Sequence, residues 1–183
     1  VDGEGKLMPC FVAVNNTRTK DMNLVAKGHP RVLRARLSDA QFFYRADLQE
    51  RMDNWAERLK GVLFQAQLGS MYDKTQRVQA LGAYLSDAAA PEIKSRVERA
   101  ARLCKTDLVS QVVYEFANLQ GIMGRVYAKA AGEPEDVAAA IEEHYRPTYS
   151  GGLLPQTVTG SLLAIADKLD TICGCFSVGL VPT

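Results

Sequence analysis

Four side chains with reactive or charged groups stand out, because their types and positions bear on whether the chain can hold a metal ion. They are Lys74, Cys104, Lys105 and Asp167. A carboxylate can ligate a divalent cation, whereas a protonated lysine has no lone pair to offer one. The set therefore predicts an internal ion pair between Asp167 and Lys74 or Lys105, which we favour, or a concave site that attracts phosphate.

Two stretches resemble HD-type metal hydrolases. Residues 99–116 resemble the central helix of that class, and residues 165–170 (Ile-Ala-Asp-Lys-Leu-Asp) resemble its last motif. An HD site binds its metal through a histidine, a His-Asp pair and a late aspartate. By this resemblance, the first histidine falls on Lys74 and the pair on Cys104-Lys105, so only Asp167 remains. We therefore expect a degenerate HD domain without a metal site or catalytic residues.

The two histidines do not restore the missing ligands in this interpretation. His29 precedes Pro30 in what we interpret as a linker, and His144 follows Glu142 and Glu143 at a predicted helix end. We expect both at the surface or at a helix C-terminus, where positive charge is favourable. A divergent HD phosphohydrolase with a rearranged metal site is the alternative.

The composition limits the classes of protein to consider. With 183 residues and 47% hydrophobic content, the chain can bury a sizeable core, and its net charge of +1 gives no overall attraction to nucleic acid or anionic lipid. No apolar run of membrane-spanning length and no leader pattern is present, so we expect a cytoplasmic protein without a membrane partner. The cysteines form no Cys-x-x-Cys pair and are predicted to be reduced and mostly buried, including Cys173 and Cys175.

Apolar spacing and end signals predict a mainly α fold. We expect an HD-domain-like helical bundle with a short N-terminal β-strand or hairpin remnant of an upstream domain. An Asp-Gly turn before a strand at Leu7–Val14 suggests a piece of a longer polypeptide. The predicted helices cover 31–49, 50–60, 71–86, 91–116 (with or without a kink), 122–130, 134–145 and 157–176. The last of these is expected to bury Val158, Leu162, Ile165, Leu169 and Ile172.

Two further patterns each allow two interpretations. Arg31, Arg34 and Arg45 fall on one side of a predicted helix, where guanidinium groups could bind phosphates or simply form a solvated face. Gly121-Ile122-Met123-Gly124 matches the loop of a KH module, but it lacks the flanking strands. Close helix packing through small residues is the interpretation that we favour for this segment.

Four long runs resemble the β subunit of bacterial heterotetrameric glycyl-tRNA synthetase, in the order in which that family has them. The first is RVLRARLSDAQFFY at 31–44, and the others lie at 62–75, 120–128 and 166–171. The resemblance implies a B3/B4-like C-terminal end and linking helix at 1–49, and a degenerate HD-like domain at 50–183.

The same resemblance implies a function. In that family the α subunit carries the glycine and ATP chemistry, with Mg, while β binds tRNA(Gly) and completes an α₂β₂ assembly. We therefore expect a part of a glycine–tRNA ligase that is inactive alone and needs no cofactor of its own. A purely structural assembly domain is a further alternative. The candidate tRNA contacts are Arg31, Arg34, Arg45, Lys74, Arg77, Lys105 and Arg125.

Overall fold

The computed structural model describes residues 1–181 and has a mainly α-helical fold, as the sequence predicts. The α-helices of this part are α1 (Met22–Asp47), α2 (Met52–Arg58), α3 (Met71–Ala89), α4 (Lys94–Leu103), α5 (Gln111–Glu115), α6 (Ile122–Ala130), α7 (Glu135–Glu143) and α8 (Val158–Ser177). Short 3-10 helices lie at Leu59–Gly61, Pro91–Ile93, Thr106–Val109 and Ala117–Leu119. Within residues 1–181, no helix has the length and apolar character to cross a membrane.

The β-structure lies elsewhere than predicted. Strands β1 (Leu63–Gln65) and β2 (Gly69–Ser70) form an antiparallel hairpin, whereas residues 7–14 have no regular secondary structure. A strand needs a neighbour to satisfy its N–H and C=O groups, and no described residue pairs with this segment. Leu7, Val12 and Val14 accordingly remain exposed.

The chain divides into two compact units, residues 1–42 and 43–183, of which the last two residues lie outside the described part. The boundary that we predicted, between 49 and 50, falls just beyond the end of α1. Helix α1 also begins earlier than predicted, because the Asp21 carboxylate accepts the backbone N–H groups of Asn23 and Leu24. The helix continues through Pro30, so His29 lies within α1 and not in a linker.

The core of residues 43–183 is formed by α2, α3, α4, α6, α7 and α8. Trp55, Leu103, Ile141 and Leu163 are among its fully buried side chains. The long helix that we predicted over 91–116 is interrupted after Leu103 by a 3-10 turn, and α5 follows. This interruption places Lys105 at a bend in the chain, inside the bundle.

Helix α8 turns a different face to the core than predicted. Leu162 is buried, but Val158, Ile165, Leu169 and Ile172 are 41–60% exposed. The buried face instead carries Leu163, Ala166 and Asp170 among its residues. The prediction was wrong because α8 has apolar residues on more than one face, and periodicity alone does not say which face meets the core. Cys10 and Cys173 are also exposed, and Cys175 is half-buried, so Cys104 is the one cysteine in the described core.

Candidate functional site

The charged side chains inside the bundle are positioned by two helices, α3 and α8, whose N-termini are both capped. Helix α3 begins at a capping box in which the Ser70 backbone N–H donates to the Asp73 carboxylate and the Asp73 N–H donates to Ser70 Oγ, at 2.8 and 3.2 Å. Helix α8 begins at Thr157, whose Oγ1 accepts the Gly160 N–H at 2.9 Å. With both helix starts fixed, the second turn of α3 faces the middle of α8.

Lys74 lies on that turn and is bound to α8 by several contacts. Its Nζ is 3.0 Å from Asp170 Oδ2, and it donates to Thr171 Oγ1 at 2.7 Å and to the Asp167 carbonyl at 3.3 Å. The Asp167 carboxylate lies 3.2 Å away, close enough for an ion pair but without hydrogen-bond geometry. Arg77, one turn further along α3, binds the other oxygen of Asp170 through Nε at 2.6 Å. The ammonium group is therefore enclosed by oxygen atoms of α8.

Lys105 reaches the same aspartate from the bend after α4. Its Nζ lies 3.4 Å from Asp167 Oδ2, 2.7 Å from His144 Nε2 and 4.1 Å from the centre of the Tyr145 ring. The other ring nitrogen, His144 Nδ1, faces the Ile141 carbonyl oxygen at 2.7 Å. Because a carbonyl can only accept, Nδ1 carries the proton and Nε2 accepts from the ammonium group.

The environment fixes the charge states of this network. Burial, together with the nearby Lys105 charge, lowers the pKa of His144 well below 6.5, so its imidazole is neutral. Burial alone would raise the pKa of Asp167, but the Lys105 and Lys74 charges outweigh it and lower that pKa below 3.8. An ionised carboxylate between two lysines and a neutral histidine is the resulting arrangement.

These residues do not fit a divalent metal. Within residues 1–181, no three His, Cys, Asp or Glu side chains are arranged to hold an ion. Lysine ammonium groups occupy the space next to Asp167 and His144, and they cannot act as ligands. Cys104 is fully buried, and burial raises the pKa of its thiol to about 12, so it supplies no thiolate. The geometry gives no support to a rearranged phosphohydrolase site.

Gly121 and Gly124, at the start of α6, allow close packing between neighbouring parts of the bundle. Asp107 Oδ2 accepts the backbone N–H groups of Gly121 and Gly124 at 2.6 and 3.1 Å. A Cβ at Gly124 would lie 2.7 Å from Ile141 Cγ2, so α6 and α7 approach each other closely here. The close-packing interpretation is confirmed, and no strands of a KH module flank this segment in residues 1–181.

The predicted cationic residues fall into two groups. Lys74 and Lys105 are buried, while Arg77 and Arg125 are half-buried and bound to Asp170 and to Glu135 and Glu142, respectively. Arg31 and Arg34 are exposed in residues 1–42, and Arg45 is exposed in residues 43–183. Among the described residues, none of these three forms an ion pair with an acidic side chain.

Sequence reasoning missed His144 and the role of Asp170 in this interior. His144 is fully buried, not at the surface, although it follows the end of α7 as predicted. Val137, Ile141 and His144 share a helical face by their spacing, which was an available signal. Asp170 follows Asp167 by three residues, so both carboxylates point to one side of α8.

The fold and its interior define the class of protein: a helical bundle whose central polar cluster is a network of ion pairs. The chain belongs to the family described as Glycyl-tRNA synthetase beta subunit, whose model matches residues 1–183.

Curated relatives agree with this assignment. The chain is similar to the glycine–tRNA ligase beta subunits of Desulforapulum autotrophicum (62% identical over 184 residues), Desulfatibacillum aliphaticivorans (56% over 185) and Geobacter sulfurreducens (55% over 183). Each match covers 100% of this chain but only 27%, 26% and 27% of the relative, respectively. The chain thus spans about a quarter of the length of these relatives.

Proposed function

We propose that this chain is a non-catalytic part of a glycine–tRNA ligase β subunit that supports tRNA binding, on the acceptor side, and the α₂β₂ assembly. The family of the chain and the names of its relatives support the ligase context. The observation that carries the tRNA proposal is how the cations are distributed. Those of residues 43–183 are mostly bound to acidic side chains, whereas Lys27, Arg31 and Arg34 of α1 form no ion pair with a described residue.

The bundle offers few free cations to an RNA. Its residues 43–183 contain 15 Lys and Arg against 17 Asp and Glu. Most of these basic side chains form ion pairs, such as Lys94 with Asp87, Arg96 with Asp136 and Arg99 with Asp53 and Glu133. A paired cation gains less from a phosphate, because it must give up a partner that it already has. Since their charges are already paired, Lys74, Lys105, Arg77 and Arg125 are poor candidates for RNA contacts.

Residues 1–42 have the opposite balance. They contain seven Lys and Arg against four Asp and Glu. Lys27, Arg31 and Arg34 follow one another on α1 at steps of four and three residues, are exposed, and form no ion pair with a described residue. Guanidinium groups at this spacing can bind successive phosphates without reading sequence. Exposed Arg45 is a further candidate in residues 43–183.

The enclosed interior supports the non-catalytic part of the proposal. With lysines beside Asp167, the bundle serves as a scaffold, and the glycine and ATP chemistry, with its Mg, belongs to the α subunit. tRNA(Gly) is the RNA partner, and the assembly acts in the cytoplasm. Each of these statements extends to this chain what its family implies.

A charge-reversal experiment tests the proposal in the full-length β subunit with its α subunit. Arg31→Glu/Arg34→Glu is compared with Lys94→Glu/Arg96→Glu, which changes the net charge equally but at cations that are already paired. We expect the first pair to weaken tRNA(Gly) binding by about tenfold or more and the second to change it little. Unchanged tRNA affinity with loss of the α₂β₂ assembly would instead indicate a purely structural domain.

A further inference from the structure

Helix α8 carries a seam, a row of apolar residues that, apart from the buried Leu162, lies on the side away from the core. Its positions follow one another at alternating steps of four and three residues, which is the heptad spacing of a helix that packs against another helix. The seam consists of Val158, Leu162, Ile165, Leu169, Ile172 and Phe176. Only Leu162 is covered within the described chain, and the other five are 41–60% exposed.

A groove beside this seam extends the apolar surface. It has a volume of about 280 Å³ and is lined by five apolar residues (Pro147, Leu154, Pro155, Ala164 and Ile165) and by Arg146, Ser161 and Lys168. Leu153 and Leu154, in the loop before α8, are 75% and 62% exposed. A contiguous apolar surface of this kind on a bundle marks an interaction site.

The borders of the seam indicate a permanent contact. The positions that flank it on α8 are Ser161, Lys168 and Cys175 on one side and Thr159, Ala166 and Cys173 on the other. Lys168 is the one charged residue among them, and its Nζ donates inward to the carbonyl oxygens of His144 and Arg146. Interfaces that open and close in water have a polar rim, whereas permanent ones resemble a protein core.

We propose that an apolar helix from another part of the same β-subunit polypeptide packs along this seam. The chain spans only 26–27% of the relatives' length, so most of such a polypeptide lies outside residues 1–183. A segment of the same polypeptide is held near α8 at a high effective concentration. Such a segment can therefore bind the seam without charged residues that attract it from a distance. This inference concerns the β subunit alone and does not depend on tRNA binding.

Thiol labelling of the native Cys173 tests the proposal in the full-length β subunit purified without its α subunit. Cys173 flanks the seam and is exposed in the present chain. We expect N-ethylmaleimide to modify it about 100-fold more slowly in the folded subunit than in urea, as peptide mass spectrometry would show. The protection should not change when the protein is diluted or when the α subunit is added.

Three results would overturn the proposal. Labelling of Cys173 in the folded β subunit at nearly the unfolded rate would mean that nothing covers the seam. Protection that appears only with the α subunit would assign the seam to that partner, and protection lost on dilution would assign it to a second copy.

A matched pair of variants adds a second measurement. Ile172→Asp places a charge in the seam, and we expect it to speed Cys173 labelling at least about tenfold. Tyr84→Asp places the same charge on α3, at a side chain that is 72% exposed, and should leave the labelling unchanged. If Ile172→Asp prevents folding, the labelling of the unaltered protein still decides the question.

Discussion

Lys105 and His144 share a buried hydrogen bond in which the ammonium group donates to the imidazole, with 2.7 Å between Nζ and Nε2. The bond requires a neutral histidine, because a protonated imidazole would place two positive charges in contact. The other titratable groups around it include Asp167 and Lys168 on α8, the adjacent Tyr145, Cys104 and Asp107. The interior of the bundle thus requires that Lys105 is protonated and that His144 is neutral.

The stability of the chain should depend on pH through His144. Its folded pKa is lowered, so between that pKa and 6.5 the unfolded chain binds more protons than the folded one, and stability falls as pH falls. We expect this residue to decrease the free energy of unfolding by about 1 kcal/mol between pH 7 and 5.5. Urea unfolding across this range measures it.

Two variants separate His144 from other groups. His144→Gln keeps an acceptor for Lys105 and should remove this part of the pH dependence, whereas His29→Gln should leave it in place. Asp167 does not interfere with this measurement. Because its pKa is lowered in the folded chain, the stability that it contributes is lost only as the pH falls below about 3.8. An identical pH profile for His144→Gln and the unaltered chain would contradict the assignment.

Removing the Lys74 charge should destabilise the bundle strongly. Lys74→Met leaves the buried Asp170 and the half-buried Asp167 with one cation fewer, and breaking such a buried pair costs about 3 kcal/mol or more. Lys94→Met removes a lysine from the exposed pair with Asp87 and should leave the unfolding midpoint unchanged within error. Equal midpoints for the two variants would show that the interior contacts contribute little.

Gly124 should tolerate no larger side chain. Gly124→Ala would place a Cβ 2.7 Å from Ile141 Cγ2 and 3.2 Å from the Asp107 carboxylate, and we expect a loss of about 1–3 kcal/mol in unfolding free energy. Gly28→Ala is the control, since Gly28 lies in α1 with nothing within 4 Å of its added Cβ. Gly28→Ala should stabilise the chain by about 0.5–1 kcal/mol. If Gly28→Ala were the more destabilising of the two variants, the close packing of α6 against α7 would be contradicted.

The salt dependence of tRNA binding should report the phosphate contacts of α1. Each contact that is lost lowers the slope of log K against log salt concentration by about 0.7–0.9. We therefore expect Arg31→Ala/Arg34→Ala to reduce the slope of the α₂β₂ enzyme by about 1.5. Lys94→Ala/Arg96→Ala should leave it unchanged, and an equal reduction in both variants would argue against a contact specific to α1.

Local signals in the sequence predicted most of the helices but not what each one faces. Ser70 and Pro134 marked helix starts correctly, because capping and the fixed φ of proline act within a few residues. The strand expected at 7–14 was wrong because a strand also needs a partner elsewhere in the chain. The face of α8 and the burial of His144 depend on tertiary packing, which local periodicity does not report.

Metal content is the most direct test of the central claim, which is that ammonium groups fill the place of a catalytic ion. The chain would be dialysed against Mn²⁺ and Zn²⁺, freed of excess metal and measured by inductively coupled plasma mass spectrometry beside Asp167→Ala. We predict no more bound metal in the unaltered chain than in the variant. A stoichiometric ion that the unaltered chain retains and Asp167→Ala loses would contradict the claim.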